Sequence, residues 1–169
     1  MLKKLNRYVG KLSVLLVTAA LIAGMAGCDG YDHPSQNLEI QTWYDLDAVR
    51  ENFAGNYTLM NDLNSTTPGY EELASPTANG GKGWQPIGTE DQLFIGSLDG
   101  QGYEIRNLFI NRLGEDYVGL FGIVDEGAQV KDISLVNATV TGYRFVGGLV
   151  GASIGAVCDS YSSSSVTGF

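Results

Sequence analysis

Phe145-Val146-Gly147-Gly148-Leu149-Val150-Gly151 decides how this chain is read, because its pattern already stands 28 residues earlier as Tyr117-Val118-Gly119-Leu120-Phe121-Gly122. Downstream, Val130-Lys131-Asp132 returns as Val157-Cys158-Asp159 at an offset of 27, and Val140-Thr141-Gly142 returns as Val166-Thr167-Gly168 at 26. One step upstream, Ile105-Arg106-Asn107-Leu108-Phe109-Ile110 matches Val130-Lys131-Asp132-Ile133-Ser134-Leu135 at 25. A period near this length marks an array in which each unit buries its apolar face against its neighbours.

Inside each unit the pattern is that of strands. Ile105, Val130, Ile133, Val136 and Val140 belong to short β-branched runs bounded by Gly, Asn and Asp, and helical periodicity is absent. The fold class expected is therefore all-β, a parallel β-solenoid over residues 40–169, with rungs at strand-pairing distance and glycine at the corners. A β-sandwich also accommodates the strands but leaves the repetition unexplained. Asn107, Asp132 and Asp159 share one place in successive units, which predicts a stacked polar column. Its bland role is to cap the turn backbone. Its sharper role is to hold a cation, or to pair carboxylates for acid–base work on a sugar.

The N-terminal part differs. Residues 28–39, which hold Pro34 and the sole histidine, His33, read as a tether. Asp45 to Asn52 places Leu46, Val49 and Phe53 on one side, with Gly55 where a C-terminal cap belongs. This short helix is expected to lie as a lid over the first rung. Tyr57, Leu59 and Leu63 suggest a first strand, and Asn64 to Gly83 reads as a long surface loop. Trp84 to Gly88 returns to the body. Ser162 to Ser165 align opposite Val136 to Thr139 and are expected as strand and surface turn, with a linker as the alternative.

Taken together, the Val146–Gly151 pattern, Val157-Cys158-Asp159-Ser160-Tyr161-Ser162 and Val166-Thr167-Gly168 resemble the GLUG repeat of bacterial surface proteins. Gly83-Trp84-Gln85-Pro86-Ile87-Gly88 and the run from Phe94 to Tyr103 resemble the segment that precedes such repeats. The resemblance spans roughly residues 40–169. It implies a surface role of the kind found in adhesin-like proteins and in accessory regions of secreted peptidases. The repeat pattern predicts a further glycine-rich strand after Phe169, so the chain is expected to be truncated at its C-terminus.

The leader supplies location. Lys3, Lys4, Arg7 and Lys11 precede a mostly apolar run from Leu12 to Ala23, which is short for a bilayer span and suited to secretion. Met25-Ala26-Gly27-Cys28 then resembles the lipobox of bacterial lipoproteins. That resemblance implies cleavage of residues 1–27 and lipidation of Cys28, hence a membrane partner reached through the N-terminal lipid. An uncleaved signal anchor and an ordinary secretory leader are the alternatives.

Beyond the leader, 6 Lys and Arg face 19 Asp and Glu. Without a basic stripe to replace phosphate counterions, nucleic acid is excluded as a partner. Two cysteines, one of them assigned to lipid, exclude a disulfide framework and leave Cys158 as a small thiol. No Gly-x-Ser-x-Gly elbow, Walker loop or dinucleotide fingerprint occurs, and a lone histidine makes neither a triad nor a zinc site. Asp45, Asp47 and Glu51 hold only a fragment of a calcium-loop spacing. Trp43, Tyr44, Tyr70, Trp84 and Tyr103 are candidates for stacking on sugars, or for packing under loops and caps. The expectation is a non-catalytic, exported, membrane-anchored protein of the cell surface or periplasm. It requires no cofactor or metal and presents its repeats to a protein or polysaccharide. The alternatives are the accessory region of a secreted carbohydrate-active enzyme or peptidase, and a truncated gene fragment.

Overall fold

The computed structural model describes residues 37–169. The leader, Cys28, His33 and the tether as far as residue 36 lie outside the described residues. Strand begins earlier than expected. Residues 37–39, read as tether, belong to β1 (Asn37–Ile40), whose Leu38 and Glu39 pair in parallel with Tyr57 and Thr58 of β2 (Asn56–Leu59).

Between them the chain makes α1 (Trp43–Asp47) and a 3-10 turn (Ala48–Glu51). Thr42 and Asp45 start the helix as a reciprocal capping box: the Asp45 N–H donates to Thr42 Oγ1 at 3.2 Å, and the Thr42 N–H donates to Asp45 Oδ2 at 2.8 Å. Leu46 and Val49 of the predicted face are completely buried, as is Trp43, while Phe53 lies past the turn and is half-buried against the core. Gly55 is not its cap; the turn closes at Asn52, whose N–H donates to the Val49 carbonyl at 3.2 Å. The expected loop from Asn64 to Gly83 contains one single-turn helix, α2 (Tyr70–Leu73), and a turn at Ala78–Gly81 in which Asn79, Gly80 and Gly81 take left-handed φ of +51°, +67° and +88°.

The remaining elements are β3 (Ser97–Asp99), β4 (Glu104–Arg106), β5 (Phe109–Asn111), β6 (Phe121–Val124), β7 (Gln129–Lys131), β8 (Ser134–Thr141), β9 (Val150–Ser153), β10 (Ala156–Cys158) and β11 (Tyr161–Thr167). The fold is all-β apart from these short helices, and every strand pair is parallel. One sheet runs β1-β2-β3-β7-β10; a second runs β11-β8-β4 with β5 also on β8; a third pairs β6 with β9. Following the chain from β3, it visits the first, second and third sheets in turn, then repeats that circuit.

Parallel register sets columns of like residues. Tyr57, Leu98, Val130 and Val157 are consecutive partners in the first sheet. Ile110, Val140 and Val166 line up in the second, and Ile87, Phe121 and Val150 in the third. All of these but Val150, Val157 and Val166 are buried, and together they make one core. Such columns need several units before any one is covered on both sides.

The step in repeat offset from 27 to 26 has a local cause. Ser163 pairs with Val136, but Ser164 pairs with Ala138, because Asn137 bulges out of β8 with φ +54°. The serine run is strand, as read, with Ser162 standing on Leu135 one place before the aligned position.

Candidate functional site

The repeats place polar and aromatic side chains where the chain passes through left-handed backbone, at corners between sheets or, for Asn107 and Asn137, along the second sheet. Asn107, Tyr117, Asp132, Asn137, Phe145 and Asp159 all have φ between +49° and +61°. Asn and Asp tolerate that region because their short side chains bond locally; bulky aromatics do so at a cost.

At the first corner, Asp132 and Asp159 occupy adjacent positions. Val130 and Lys131 pair with Val157 and Cys158, and the Asp132 N–H donates to the Cys158 carbonyl at 3.3 Å. Asn107 does not join them. Register puts Leu98 and Asp99 beside Val130 and Lys131, so Gly100 is the predecessor of Asp132. A Cβ at Gly100 would lie 2.4 Å from the Asp132 carbonyl oxygen, so backbone fills the space an earlier carboxylate would need. Asn107, between β4 and β5, instead lies beside the β8 bulge at Asn137, whose Nδ2 donates to Asn107 Oδ1 at 2.7 Å.

The charge at the Asp132 corner is balanced by a cation from the strand. Lys131 Nζ lies 2.8 Å from Asp99 Oδ2 and 3.6 Å from Asp132 Oδ2. Burial alone would raise the Asp99 carboxyl, but the Lys131 ammonium and the Gln101 N–H, 2.9 Å away, hold it below its ordinary value. The same hydrogen bond to Asp99 raises Lys131.

A second corner carries aromatics that the offset of 28 had aligned without suggesting contact. The Tyr117 and Phe145 rings stack with centroids 4.8 Å apart and planes 3° from parallel. Beside them Arg144 Nε donates to Asp116 Oδ2 at 3.1 Å, and this hydrogen bond is the main cause of the lowered Asp116 carboxyl. The Arg144 guanidinium also lies 5.3 Å from the Tyr143 ring centroid.

The other candidate aromatics divide. Trp43 and Trp84 are completely buried, 5.8 Å apart between centroids, and Tyr70 packs 5.9 Å from Trp43. They form the cap's core and present no face to a sugar. Tyr44 and Tyr103 are exposed on separate elements. Arg50 stacks 4.5 Å over Trp84 and donates to the Asp47 carboxylate and the Gln85 carbonyl, while the buried Arg112 donates through Nε to the Trp84 carbonyl at 2.9 Å. Two guanidinium groups thus pin the segment that returns the chain to the body. Distant pairing of this sort left no spacing signal.

Of the fragmentary calcium spacing, Asp45 caps α1 and Asp47 pairs with Arg50. Among the described residues no group of three or more His, Cys, Asp or Glu is placed to hold a metal ion. Cys158 is a free, half-buried thiol. No helix among the described residues is long and apolar enough to cross a membrane.

No protein-family model matches this chain, and no solved structure matches it. It is similar to Halomucin of Haloquadratum walsbyi, 34% identical over 145 residues that cover 82% of this chain and 2% of that protein. It is also similar to a protein of Evansella cellulosilytica that carries the name Gly-rich membrane protein, 35% identical over 124 residues covering 70% of this chain and 13% of the relative. The chain thus spans a small fraction of the length of the curated relatives it matches.

Proposed function

We propose that this chain is a lipid-anchored protein of the cell envelope whose parallel strands wind as a β-solenoid with GLUG-like repeats, displaying corner side chains to a protein or polysaccharide. The observation that carries the reading is the in-register stacking of successive corners, Asp132 on Asp159 and Tyr117 on Phe145, on parallel strands visited in a repeated circuit. Stacked rungs offer the same outward groups at a fixed interval of about 4.8 Å, which suits adhesion to a repeating or extended partner. The names of the two relatives, a halomucin and a membrane protein, support a surface or membrane association. The Met25–Cys28 pattern supports the anchor, and several acyl chains make such retention stable where one is marginal.

The role is non-catalytic. The pairing of Asp132 with Lys131 supports a structural corner over an acid–base dyad, whose second carboxylate would face substrate instead of a lysine. The test has two arms. Radiolabelled palmitate should enter the wild-type chain in a bacterial host and fail to enter Cys28→Ser, which should leave the membrane fraction. Cells displaying the chain should be retained on a mucin or polysaccharide surface, with retention reduced severalfold by Phe145→Ala. Turnover of polysaccharide that Asp132→Asn or Asp159→Asn abolishes would overturn the non-catalytic reading.

A further inference from the structure

Three asparagines open Asn-x-Ser/Thr triplets, the pattern at which N-linked glycans are attached: Asn56-Tyr57-Thr58, Asn64-Ser65-Thr66 and Asn137-Ala138-Thr139. The folded chain treats them differently. Asn56 lies in β2, paired on both sides, and its Oδ1 accepts from Ser97 Oγ at 2.8 Å. Asn137 lies in the β8 bulge with its Nδ2 held by Asn107 Oδ1. Asn64 lies outside any strand and opens a turn. Its carbonyl accepts the Thr67 N–H at 3.1 Å and the Trp43 Nε1–H at 3.0 Å.

Within that turn Asn64 Oδ1 accepts twice from Thr66, from the N–H at 2.8 Å and from the hydroxyl at 2.7 Å. A backbone N–H can only donate, so it fixes which amide atom is the oxygen. The other atom, Nδ2, has no hydrogen-bond partner among the described residues. Ser65 and Thr66 are exposed and Asn64 is half-buried. A second feature selects the same asparagine. Bacterial transfer of glycans to asparagine is favoured by an acid two places earlier, whose charge a basic group of the transferase can pair. The exposed Asp62 holds that place for Asn64, whereas Ala54 and Leu135 hold it for Asn56 and Asn137.

We propose that Asn64 is an acceptor for an N-linked oligosaccharide, transferred from a lipid-diphosphate donor by a bacterial oligosaccharyltransferase that reads Asp62 through Thr66. Nδ2 attacks C1 of the first sugar and the Nδ2–C1 bond forms. The bond from C1 to the diphosphate oxygen breaks, and the lipid diphosphate leaves with its electron pair. One Nδ2 proton passes to a base of the transferase. The Thr66 hydroxyl, already on Oδ1, explains why this turn presents the triplet as a unit. The inference rests on the exported location proposed above, because such transferases act outside the cytoplasm.

The test is transfer to the purified, folded full chain in mild detergent, using a bacterial oligosaccharyltransferase, its divalent metal and a lipid-linked oligosaccharide. Mass spectrometry of the tryptic peptide Glu51–Lys82 reads the outcome. The wild type should gain a glycan that fragmentation places on Asn64. Asn64→Gln and Thr66→Ala should gain none there, and Thr66→Ser should keep it. Asp62→Asn retains an oxygen for the Glu104 N–H, which lies 2.9 Å from Asp62 Oδ1, but removes the charge. Its transfer should be about tenfold slower, as expected for one lost charge-assisted contact, while Asp62→Glu should match the wild type. An unmodified wild type, a glycan on Asn56 or Asn137 instead, or an Asp62→Asn rate equal to that of the wild type would each overturn the inference. Because the reaction runs on purified chain, its result is separate from that of the palmitate experiment, which decides the anchor and location.

Discussion

Gly83 shows how tightly one residue can be constrained. Its φ is +67°, and a Cβ there would lie 2.0 Å from the Phe109 carbonyl oxygen, which accepts the Trp84 N–H at 2.8 Å. Alanine at this site meets both left-handed strain and a backbone collision, and should destabilise the fold by about 3 kcal/mol, read from urea unfolding. Asp99 makes a different prediction. Its folded pKa lies below the unfolded value, so its pairing stabilises the protein above pH of about 4 and is lost as pH falls through the folded pKa. Glu115, lowered against the effect of burial by Lys82 and Arg112, acts in the same direction. Lys131→Met removes the cation beside Asp99. The fall in unfolding midpoint between neutral and strongly acid pH should therefore be smaller in that variant than in the wild type.

Elements differ in where their stability originates. The strands of the repeats are three to eight residues long and hold because both neighbours cover them. The cap is an independent device, joined to the body through Trp43 and Trp84 and by the two arginines on the Trp84–Gln85 backbone. Trp43→Ala should cost about 3–5 kcal/mol, measured as a lowered urea midpoint, and should loosen α1 without altering the pairing of β7 with β10. The helix was legible because Leu46 and Val49 recur at helical spacing. Its true start at Trp43 lay two residues earlier, set by the Thr42–Asp45 box rather than by the apolar pattern. The helical turn at Tyr70–Leu73 escaped notice because one turn is too short for periodicity to show.

Across the molecule, protection should grade from the middle of the stack toward its uncovered face. Among the described residues β7 and β8 have partners on both sides, whereas β10 and β11 each have one. Amide exchange should accordingly be slowest in β7 and β8 and faster in β10 and β11.

Repetition was written into the chain, and with it the short strands, the parallel neighbours and the pairing of Val130–Asp132 with Val157–Asp159. Identical local patterns favour identical local structure, and stacking like on like is how such patterns bury themselves. The position of Asn107 was not so written. A hydrophobic residue, a variable residue and then Asn or Asp describes both Ile105–Asn107 and Val130–Asp132, and the two stretches look equivalent along the chain. Only the folded register separates them: Leu98 stands on Val130 and Ile105 on Leu135, because the first circuit differs in length from those that follow. The tertiary structure alone also decided which aromatics are core and which carboxylate meets Lys131, since both depend on contacts between segments that share no spacing.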